Sequence, residues 1–171
     1  MDAVLISGSP SATSKSRALL EHAQAQLEAA GCSTTLIDLA ALPAEALLGR
    51  RENQDVREAI EQVKAARIVV ASSPTYRATY TGLLKTFFDL LPQDCLTGKI
   101  GLPILTGGSP AHQLALDHSF RPLFASLGAT VANGVYAHDA QFKTDTPALQ
   151  ARVRSAVQEA VALAQHAPSL P

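Results

Sequence analysis

The chain has 171 residues, and its 14 Lys and Arg residues nearly balance 15 Asp and Glu residues, for a formal net charge of −1. The chain therefore lacks the excess of basic residues that is typical of nucleic-acid-binding proteins, and we expect no nucleic-acid partner. The first residues include Asp2 and only a short apolar run, unlike a signal peptide. No apolar run approaches the roughly 18 residues of a membrane span. We therefore expect a single domain over residues 1–171, in the cytoplasm and off the membrane.

Short apolar runs alternate with helical patterns along the chain. Because Gly, Ser or Pro bounds each run, the runs are typical of strands covered on both faces. Strands are predicted at residues 3–7, 33–38, 68–72, 100–105 and 130–136, helices at 14–30, 55–66, 79–91, 111–127 and 146–166, and a frayed tail at 167–171. Five such βα units predict an α/β fold, a flavodoxin-like three-layer α/β/α sandwich. Its five-stranded parallel sheet is expected in the order 2-1-3-4-5.

The loop between the first strand and the first helix has the composition of an anion site. Residues 8–16 read Gly-Ser-Pro-Ser-Ala-Thr-Ser-Lys-Ser and contain no Asp or Glu. A loop that enters a helix N-terminus collects free backbone N–H groups and the positive end of the helix dipole, which favours phosphate. The alternative is an ordinary Ser-rich turn and helix cap.

The same loop excludes several classes of phosphate site. It has only the first glycine of the GxGxxG fingerprint, so dinucleotide binding in the Rossmann mode is not expected. It lacks the GxxxxGK(S/T) pattern of P-loop nucleotide triphosphatases, and it lacks the cysteine that a thiol phosphatase needs. The ligand that remains consistent with this loop is a monophosphate, held by hydroxyls and backbone amides.

Two further loops are expected at the same edge of the sheet. In an open α/β sheet, ligands bind beyond the carboxyl ends of the strands, where the strand order reverses. The loop after the third strand contains Pro74, Tyr76 and Tyr80, and the loop after the fourth contains Gly107 and Gly108. Bare glycine backbone can approach a flat ligand closely. A phosphate site beside these loops suits FMN, although each loop alone would also suit a plain turn.

These motifs resemble those of the NAD(P)H-dependent FMN reductases. The resembling residues are Gly8-Ser9-Pro10, Pro74-Thr75-Tyr76-x-x-x-Tyr80-Thr81-Gly82-x-x-Lys85 and Thr106-Gly107-Gly108-Ser109-x-Ala111-His112. The resemblance is greatest to the branch that serves two-component sulfonate monooxygenases. It implies a flavodoxin-like fold, FMN with NADPH or NADH as cofactors, and a flavin-dependent monooxygenase that receives the reduced FMN.

The resemblance also implies which residues hold the flavin. The phosphate would be held by Ser9, Ser14 and Ser16, with Ser11 beside them. The ring and ribityl chain would lie against Pro74, Thr75, Tyr76 and Arg77, and the other side would be closed by Thr106, Gly107, Gly108 and Ser109. His112, directly after the Gly-Gly turn, would support this loop or make a local hydrogen bond.

The helix predicted after the Gly-Gly turn changes register near His118. Leu116 and Phe120 keep one apolar stripe but Leu114 falls off it, as an inserted residue in a π-bulge would cause. The alternative is an exposed polar residue on a regular helix. The resemblance places such an insertion at a subunit interface beside the flavin. Apolar residues here and at 87–91 cover more than one helical face, which predicts a homodimer or homotetramer.

The sequence offers no Ser-His-Asp, Cys-His or paired-carboxylate pattern, and no metal-ligand spacing. Hydride transfer from a nicotinamide to a flavin needs none of these, because the two cofactors carry the chemistry. Two alternatives share the fold. A quinone, azo or metal-oxyanion reductase would keep FMN as a prosthetic group. A flavodoxin-type electron carrier would ignore NAD(P)H, and such carriers are usually strongly acidic.

Overall fold

The computed structural model describes residues 1–167, and its centre is a parallel β-sheet. The strands are β1 (Asp2–Ser7), β2 (Ser33–Asp38), β3 (Ile68–Pro74), β4 (Ile100–Gly107), β5 (Thr130–Val131) and β6 (Val135–His138). Their order, β2-β1-β3-β4-β5 with β6 also paired to β4, confirms the predicted flavodoxin-like order. All pairings between these strands are parallel. The strand order therefore reverses between β1 and β3, where α/β sheets bind ligands.

Helices cover both faces of the sheet. They are α1 (Lys15–Ala29), α2 (Ala44–Leu47), α3 (Gln54–Ala65), α4 (Gly82–Phe88), α5 (Arg121–Ala125), α6 (Gln141–Thr144) and α7 (Thr146–His166). Short 3₁₀ helices lie at Leu39–Ala41 and Pro110–Gln113, and a π-helix lies at Leu116–Phe120. Three of the α-helices begin at a capping side chain, whose oxygen accepts from the backbone N–H three residues later. These caps are Ser14 for α1, Asn53 for α3 and Thr81 for α4.

The core consists of two apolar layers, one on each face of the sheet. Successive residues of a strand point to opposite faces, so β1 contributes Val4 and Ile6 to one layer and Ala3 and Leu5 to the other. The first layer packs against α3, α4 and α5, and the second packs against α1 and α7. Because both faces are covered, the strands are apolar without alternation.

The fifth predicted strand, residues 130–136, is divided into β5 and β6. Between the two paired segments, β4 has two residues (102–103) whereas its partner has three (132–134). The extra residue makes a β-bulge. Pro103 lies opposite the break and has no backbone N–H to continue the ladder. Gly134 fits there because a Cβ would lie 2.7 Å from the Pro103 carbonyl oxygen.

Two predicted helices have other bounds in the structure. The helix predicted at 79–91 is shorter, because Thr81 caps it and the last turn ends at Phe88. The helix predicted at 111–127 is replaced by a 3₁₀ helix, the π-helix and α5 in succession. His118 lies in the π-helix, where the apolar register changes, and its side chain is exposed. The role of His118 at an interface stays a prediction.

The apolar residues that predicted a subunit contact are mostly buried within the chain. Phe87, Phe88, Phe120 and Phe124 are all buried. The Phe88 and Phe124 rings meet edge to face with centroids 5.5 Å apart, and Phe120 stacks on Phe124 at 5.8 Å. Leu114 differs, since it is 61% exposed. Burial in the core of the chain therefore explains most of these apolar residues, and their number does not support an oligomer.

Within residues 1–167, no helix is both long enough and apolar enough to cross a bilayer. The frayed tail predicted at 167–171 falls almost wholly outside the described residues.

We expect Gly134→Ala to lower the free energy of unfolding by about 1–3 kcal/mol, the usual range for overpacking. The added Cβ would overlap Leu116 Cδ2 and approach Pro103 at the bulge. Urea unfolding followed by circular dichroism measures the change. Gly82→Ala is the matched control, because nothing lies within 4 Å of a Cβ there. Equal losses in the two variants would contradict this account of the bulge.

Candidate functional site

Three loops meet at the carboxyl ends of β1, β3 and β4. The Gly8 N–H donates to the Ser72 carbonyl of β3 (2.8 Å), and the Thr75 N–H donates to the Thr106 carbonyl of β4 (2.7 Å). A Cβ on Gly8 would lie 2.9 Å from Leu84 Cβ, so glycine is needed where α4 packs against this loop. Backbone hydrogen bonds therefore join the three loops along one edge of the sheet.

The loop between β1 and α1 holds its hydroxyls in two environments. Ser9 and Ser16 are buried and Ser14 is half-buried, whereas Ser11 is exposed. Ser14 Oγ accepts from the Arg17 N–H (3.1 Å) and lies 3.0 Å from Ser16 Oγ. Ser9 Oγ accepts from the Ser11 N–H (3.1 Å). Ser14 thus caps α1, as the alternative interpretation predicted, and it also places a hydroxyl at the helix N-terminus.

The charge around this helix terminus suits an anion. α1 has no acidic residue in its first turn, so no carboxylate of that turn competes for the free N–H groups. Lys15 Nζ lies 3.0 Å from Asp139 Oδ1, just after β6, and 5.7 Å from the centroid of the Phe142 ring. Both charged side chains are well exposed, so water screens their attraction. Lys15 is therefore available to a second anion.

Thr81 ties the loop after β1 to the loop after β3. Its side chain is only 2% exposed, and Oγ1 donates to the Gly8 carbonyl (2.6 Å) and accepts from the Leu84 N–H (3.1 Å). The Thr81 N–H in turn donates to Ser73 Oγ (2.9 Å). One residue therefore starts α4 and fixes the direction of the Gly8 peptide.

The loop after β3 contains a strained turn. Tyr76 and Thr79 exchange backbone hydrogen bonds of 2.9 and 3.3 Å, and between them Arg77 and Ala78 have φ angles of +51° and +63°. Asn-Gly is the usual pair in such a turn, because both central residues need a positive φ. Each non-glycine residue there costs about 1–3 kcal/mol, and strain of this kind concentrates at ligand sites. The turn leaves the Tyr76 side chain 51% exposed.

Three polar side-chain atoms surround the bare α-carbon of Gly107. A Cβ there would lie 2.7 Å from Tyr136 Oη, 3.0 Å from His112 Nδ1 and 3.2 Å from Thr75 Oγ1. Tyr136 Oη donates to the Ser109 carbonyl (2.5 Å), and burial raises the pKa of this phenol, so it stays protonated. Thr75 Oγ1 and His112 Nδ1 are buried without a hydrogen-bond partner among the described residues.

The backbone of the Gly-Gly turn is supported by the end of β6. The Gly107 carbonyl accepts from the Asp139 N–H (2.9 Å), and the Gly108 carbonyl lies 3.1 Å from His138 Nε2. Gly108 is exposed, so its other face is open to a ligand.

The structure places the predicted phosphate and ring residues on the same edge of the sheet. They are Ser9, Ser11, Ser14, Ser16, Pro74, Thr75, Tyr76, Arg77, Thr106, Gly107, Gly108, Ser109 and His112. His118 lies beyond them, on the exposed side of the π-helix.

Sequence reasoning missed several residues that hold these loops in place. Thr81 had a usable signal, because a threonine directly before an apolar helical pattern is typical of an N-cap. Tyr136 and Asp139 come from the end of the last strand, which the predicted order already placed beside β4. Ser73 donates locally to the Pro74 carbonyl (2.8 Å), and no sequence pattern singles it out.

A cavity of about 510 Å³ lies away from these loops, at the amino ends of β3 and β4. Its cations already have structural partners. Lys99 Nζ donates to the Lys64 and Ala66 carbonyls (2.7 and 2.9 Å), and Arg67 Nη1 donates to the Gly98 carbonyl (2.8 Å). This end of the sheet is therefore held by cations that cap carbonyls.

The loop edge fits a flat ligand that carries a phosphate. Hydroxyls and a helix N-terminus with no acidic residue in its first turn suit the phosphate. The exposed backbone of Gly108 leaves room for a ring, while Gly107 is buried against the side chains of Tyr136, His112 and Thr75.

The chain is similar to flavin reductases of known sequence and structure. A family model described as NADPH-dependent FMN reductase matches residues 1–144. An FMN reductase (NADPH) of Escherichia coli strain K12 is 34% identical over 166 residues, which cover 92% of this chain and 87% of that protein. The NADH-dependent FMN reductase SfnE of Pseudomonas putida is 39% identical over an alignment of 180 residues, with coverages of 98% and 95%. The apo crystal structure of an NADH:FMN oxidoreductase (EMOB) has a TM-score of 0.89 at 36% identity, with coverages of 99% and 91%.

We expect Thr81→Val to lower the free energy of unfolding by about 2 kcal/mol or more, because it removes a cap and leaves the buried Gly8 carbonyl unpaired. Thr81→Ser keeps the hydroxyl and should restore most of the loss. Thr86→Val is the control, since it removes only a local bond to the Leu83 carbonyl. Chemical denaturation of the three variants measures the differences, and equal stability of Thr81→Val and wild type would contradict the role of Thr81.

Proposed function

The chain belongs to the NADPH-dependent FMN reductase family and is an NAD(P)H-dependent FMN reductase, and we propose that the three loops at the carboxyl edge of its sheet bind the FMN. The observation that carries this assignment is the hydroxyl-rich, acid-free entry into α1 on the same sheet edge as the exposed backbone of Gly108. The first feature suits the phosphate and the second suits the ring.

Four hydroxyls are proposed as the phosphate ligands. Ser14 and Ser16 lie 3.0 Å apart at the start of α1, where N–H groups are free and the helix dipole is positive. Ser9 is buried at the base of the loop and Ser11 is exposed at its rim. Lys15 supplies a cation at the same helix terminus, which favours a monophosphate further.

The ring is proposed to lie between the loops after β3 and β4. The first side consists of Pro74, Thr75, Tyr76 and Arg77, and the second consists of Thr106, Gly107, Gly108, Ser109 and His112. Backbone hydrogen bonding between Thr75 and Thr106 fixes the distance between the two sides.

The bound cofactors supply the chemistry, which is hydride transfer from the nicotinamide of NADPH or NADH to FMN. The chain holds the two rings in reacting geometry and offers backbone donors where negative charge develops. Because the cofactors react and the chain only positions them, the proposed site needs neither a nucleophile nor a general base.

Reduced FMN is proposed to leave this site and to supply a flavin-dependent monooxygenase. The exposure of the proposed ring site supports this release of FMN, because the Tyr76 side chain is half exposed and Gly108 is exposed. The resemblance to the branch that serves two-component sulfonate monooxygenases supports the same partner. A quinone or azo reductase, by contrast, would retain its flavin during turnover.

The working form is proposed to be a cytoplasmic homo-oligomer, a dimer or tetramer, of a single domain over residues 1–171. Leu114 and Tyr76 are exposed apolar side chains on the two loops that flank the ring site. His118, exposed in the π-helix, is proposed to lie at the same contact. Sedimentation velocity of the purified protein tests the assembly.

The function is tested by steady-state oxidation of NADPH and of NADH, each with and without added FMN. We expect the rate to require added FMN and the reduced flavin to pass through a dialysis membrane to an acceptor. Retention of stoichiometric FMN on gel filtration, with turnover of a quinone or azo dye, would favour the alternative reductase. Binding of FMN without NAD(P)H oxidation would favour an electron carrier.

Replacing Ser14 and Ser16 together by Ala should weaken FMN binding more than tenfold, because each hydrogen bond to a charged group contributes about 1.5–3 kcal/mol. Riboflavin, which lacks the phosphate, should lose much less affinity. Fluorescence titration with both flavins separates phosphate binding from the loss of the α1 cap. Thr13→Ala, an exposed change in the same loop, is the control. Equal loss for FMN and riboflavin would contradict the phosphate assignment.

A further inference from the structure

We propose that a small cavity behind the Gly-Gly turn binds a phosphate group of the nicotinamide dinucleotide through the guanidinium of Arg152. The proposal rests on the FMN site proposed above, because that site places the flavin ring, and with it the nicotinamide, beside Gly108. The cavity, called here the Arg152 cavity, has a volume of about 260 Å³. It lies between the 3₁₀ helix after β4, the end of β6, α6 and α7.

The residues around the Arg152 cavity suit an anion. A guanidinium, an imidazole and two amides are among the side chains that line it, and none of the lining residues within 1–167 is acidic: Pro110, Gln113, Tyr136, His138, Gln141 and Arg152. The carboxylate of Asp139, the residue after His138, lies instead against Lys15 Nζ (3.0 Å). A phosphate that enters the cavity would therefore meet N–H donors without a competing carboxylate.

Arg152 is held in place and still has unused donors. Its Nη1 donates to the Tyr136 carbonyl (3.0 Å) and its Nη2 donates to Gln141 Oε1 (3.1 Å). The same Gln141 oxygen accepts from the His138 N–H (3.0 Å), so β6, α6 and α7 converge on one amide group. In the described part of the chain, Arg152 makes no further hydrogen bond and no ion pair. Because a guanidinium has more N–H donors than these two bonds use, the others are available to a phosphate.

The Arg152 cavity adjoins the proposed ring site through the Gly-Gly turn. His138 Nε2 lies 3.1 Å from the Gly108 carbonyl, and Pro110, just after the turn, lines the cavity. The FMN phosphate is assigned to the entry of α1, so a second phosphate site needs another ligand. Both NADPH and NADH carry a pyrophosphate, and NADPH also carries a 2′-phosphate. The cavity is smaller than the roughly 300–1,000 Å³ of a pocket for a whole ligand, so it suits one such group.

Arg152→Gln should raise the KM for the dinucleotide about tenfold and change kcat little, because the phosphates lie away from the transferred hydride. A loss confined to NADPH would assign the cavity to the 2′-phosphate, and an equal loss for NADPH and NADH would assign it to the pyrophosphate. Gln141→Glu keeps the acceptor for Arg152 and His138 but adds a negative charge, so it should raise the same KM. Unchanged KM values for both dinucleotides in Arg152→Gln would overturn the proposal.

Arg154→Gln is the matched control. Arg154 is an exposed arginine of the same helix, and it lies in a groove beside α1 rather than in the Arg152 cavity. The variant removes the same charge from the chain, so it should leave both KM values unchanged. An equal rise of KM in Arg152→Gln and Arg154→Gln would show an effect of net charge alone and would overturn the proposal.

Calorimetric titration of the flavin-free protein measures the same contact without turnover. The probes are adenosine 2′,5′-bisphosphate and ADP, which carry the two kinds of phosphate group. At least one of them should bind wild type and Arg154→Gln alike, and should bind Arg152→Gln about tenfold more weakly. Failure of both probes to bind wild type, or equal binding to wild type and Arg152→Gln, would overturn the proposal.

Flavin titration separates this proposal from failure of the FMN site. Arg152→Gln should bind FMN as wild type does. If its affinity for FMN falls as much as its KM for the dinucleotide rises, Arg152 acts only by supporting the Tyr136 carbonyl, and the proposal is overturned. If Ser14→Ala/Ser16→Ala fails to discriminate FMN from riboflavin while Arg152→Gln weakens the adenosine probe, the phosphate assignment at α1 fails and the Arg152 cavity stands.

Discussion

The buried hydroxyl of Thr81 is the constraint on which the geometry of the proposed FMN site depends. β1 and β3 are neighbours, but the chain leaves β1 toward α1 on one face of the sheet and leaves β3 toward α4 on the other. The reversal of strand order therefore opens a crevice between their loops, and such a crevice has no intrinsic width. Thr81 sets that width, because its Oγ1 donates across the crevice to the Gly8 carbonyl while it accepts from the Leu84 N–H in the first turn of α4. The loop after β1 is thus positioned by a residue of the loop after β3.

The loops after β3 and β4, which flank this crevice, contain strained backbone and unpaired polar atoms. Arg77 and Ala78 have positive φ angles without being glycine, and Thr75 Oγ1 and His112 Nδ1 are buried without hydrogen-bond partners in the described part of the chain. Features of this kind persist only where the surrounding structure over-determines them. Here the support comes from the paired backbones of β3 and β4 and from the fully buried Phe87 and Phe120 beneath them. The strained turn and the two unpaired atoms therefore lie in the loops that are proposed to hold the flavin ring.

The sequence predicted those parts of the structure that local patterns determine. The apolar runs gave the strand order, and the hydroxyls before α1 located the loop whose Ser14 caps that helix. The apolar residues Phe87 and Phe124 predict a subunit contact, but both are buried within the chain, because periodicity does not distinguish a face buried by the chain itself from one buried by a partner. The bulge at Gly134 was also missed. Its cause is non-local, since it depends on Pro103 in the neighbouring strand.

The same bulge packs against the π-helix. The bulge is one extra residue between β5 and β6, opposite β4. The π-helix Leu116–Phe120 contains one extra residue relative to an α-helix, and it packs on this bulge. Leu116 fills the space over Gly134, and Arg121 Nη1 donates to the Ala132 carbonyl (3.2 Å) inside the bulge. Without the inserted residue, Arg121 would turn by about 100° and lose this carbonyl. The π-helix thus contacts the bulge of its own chain, so a subunit contact at His118 must be established by its own measurement rather than by the presence of the insertion.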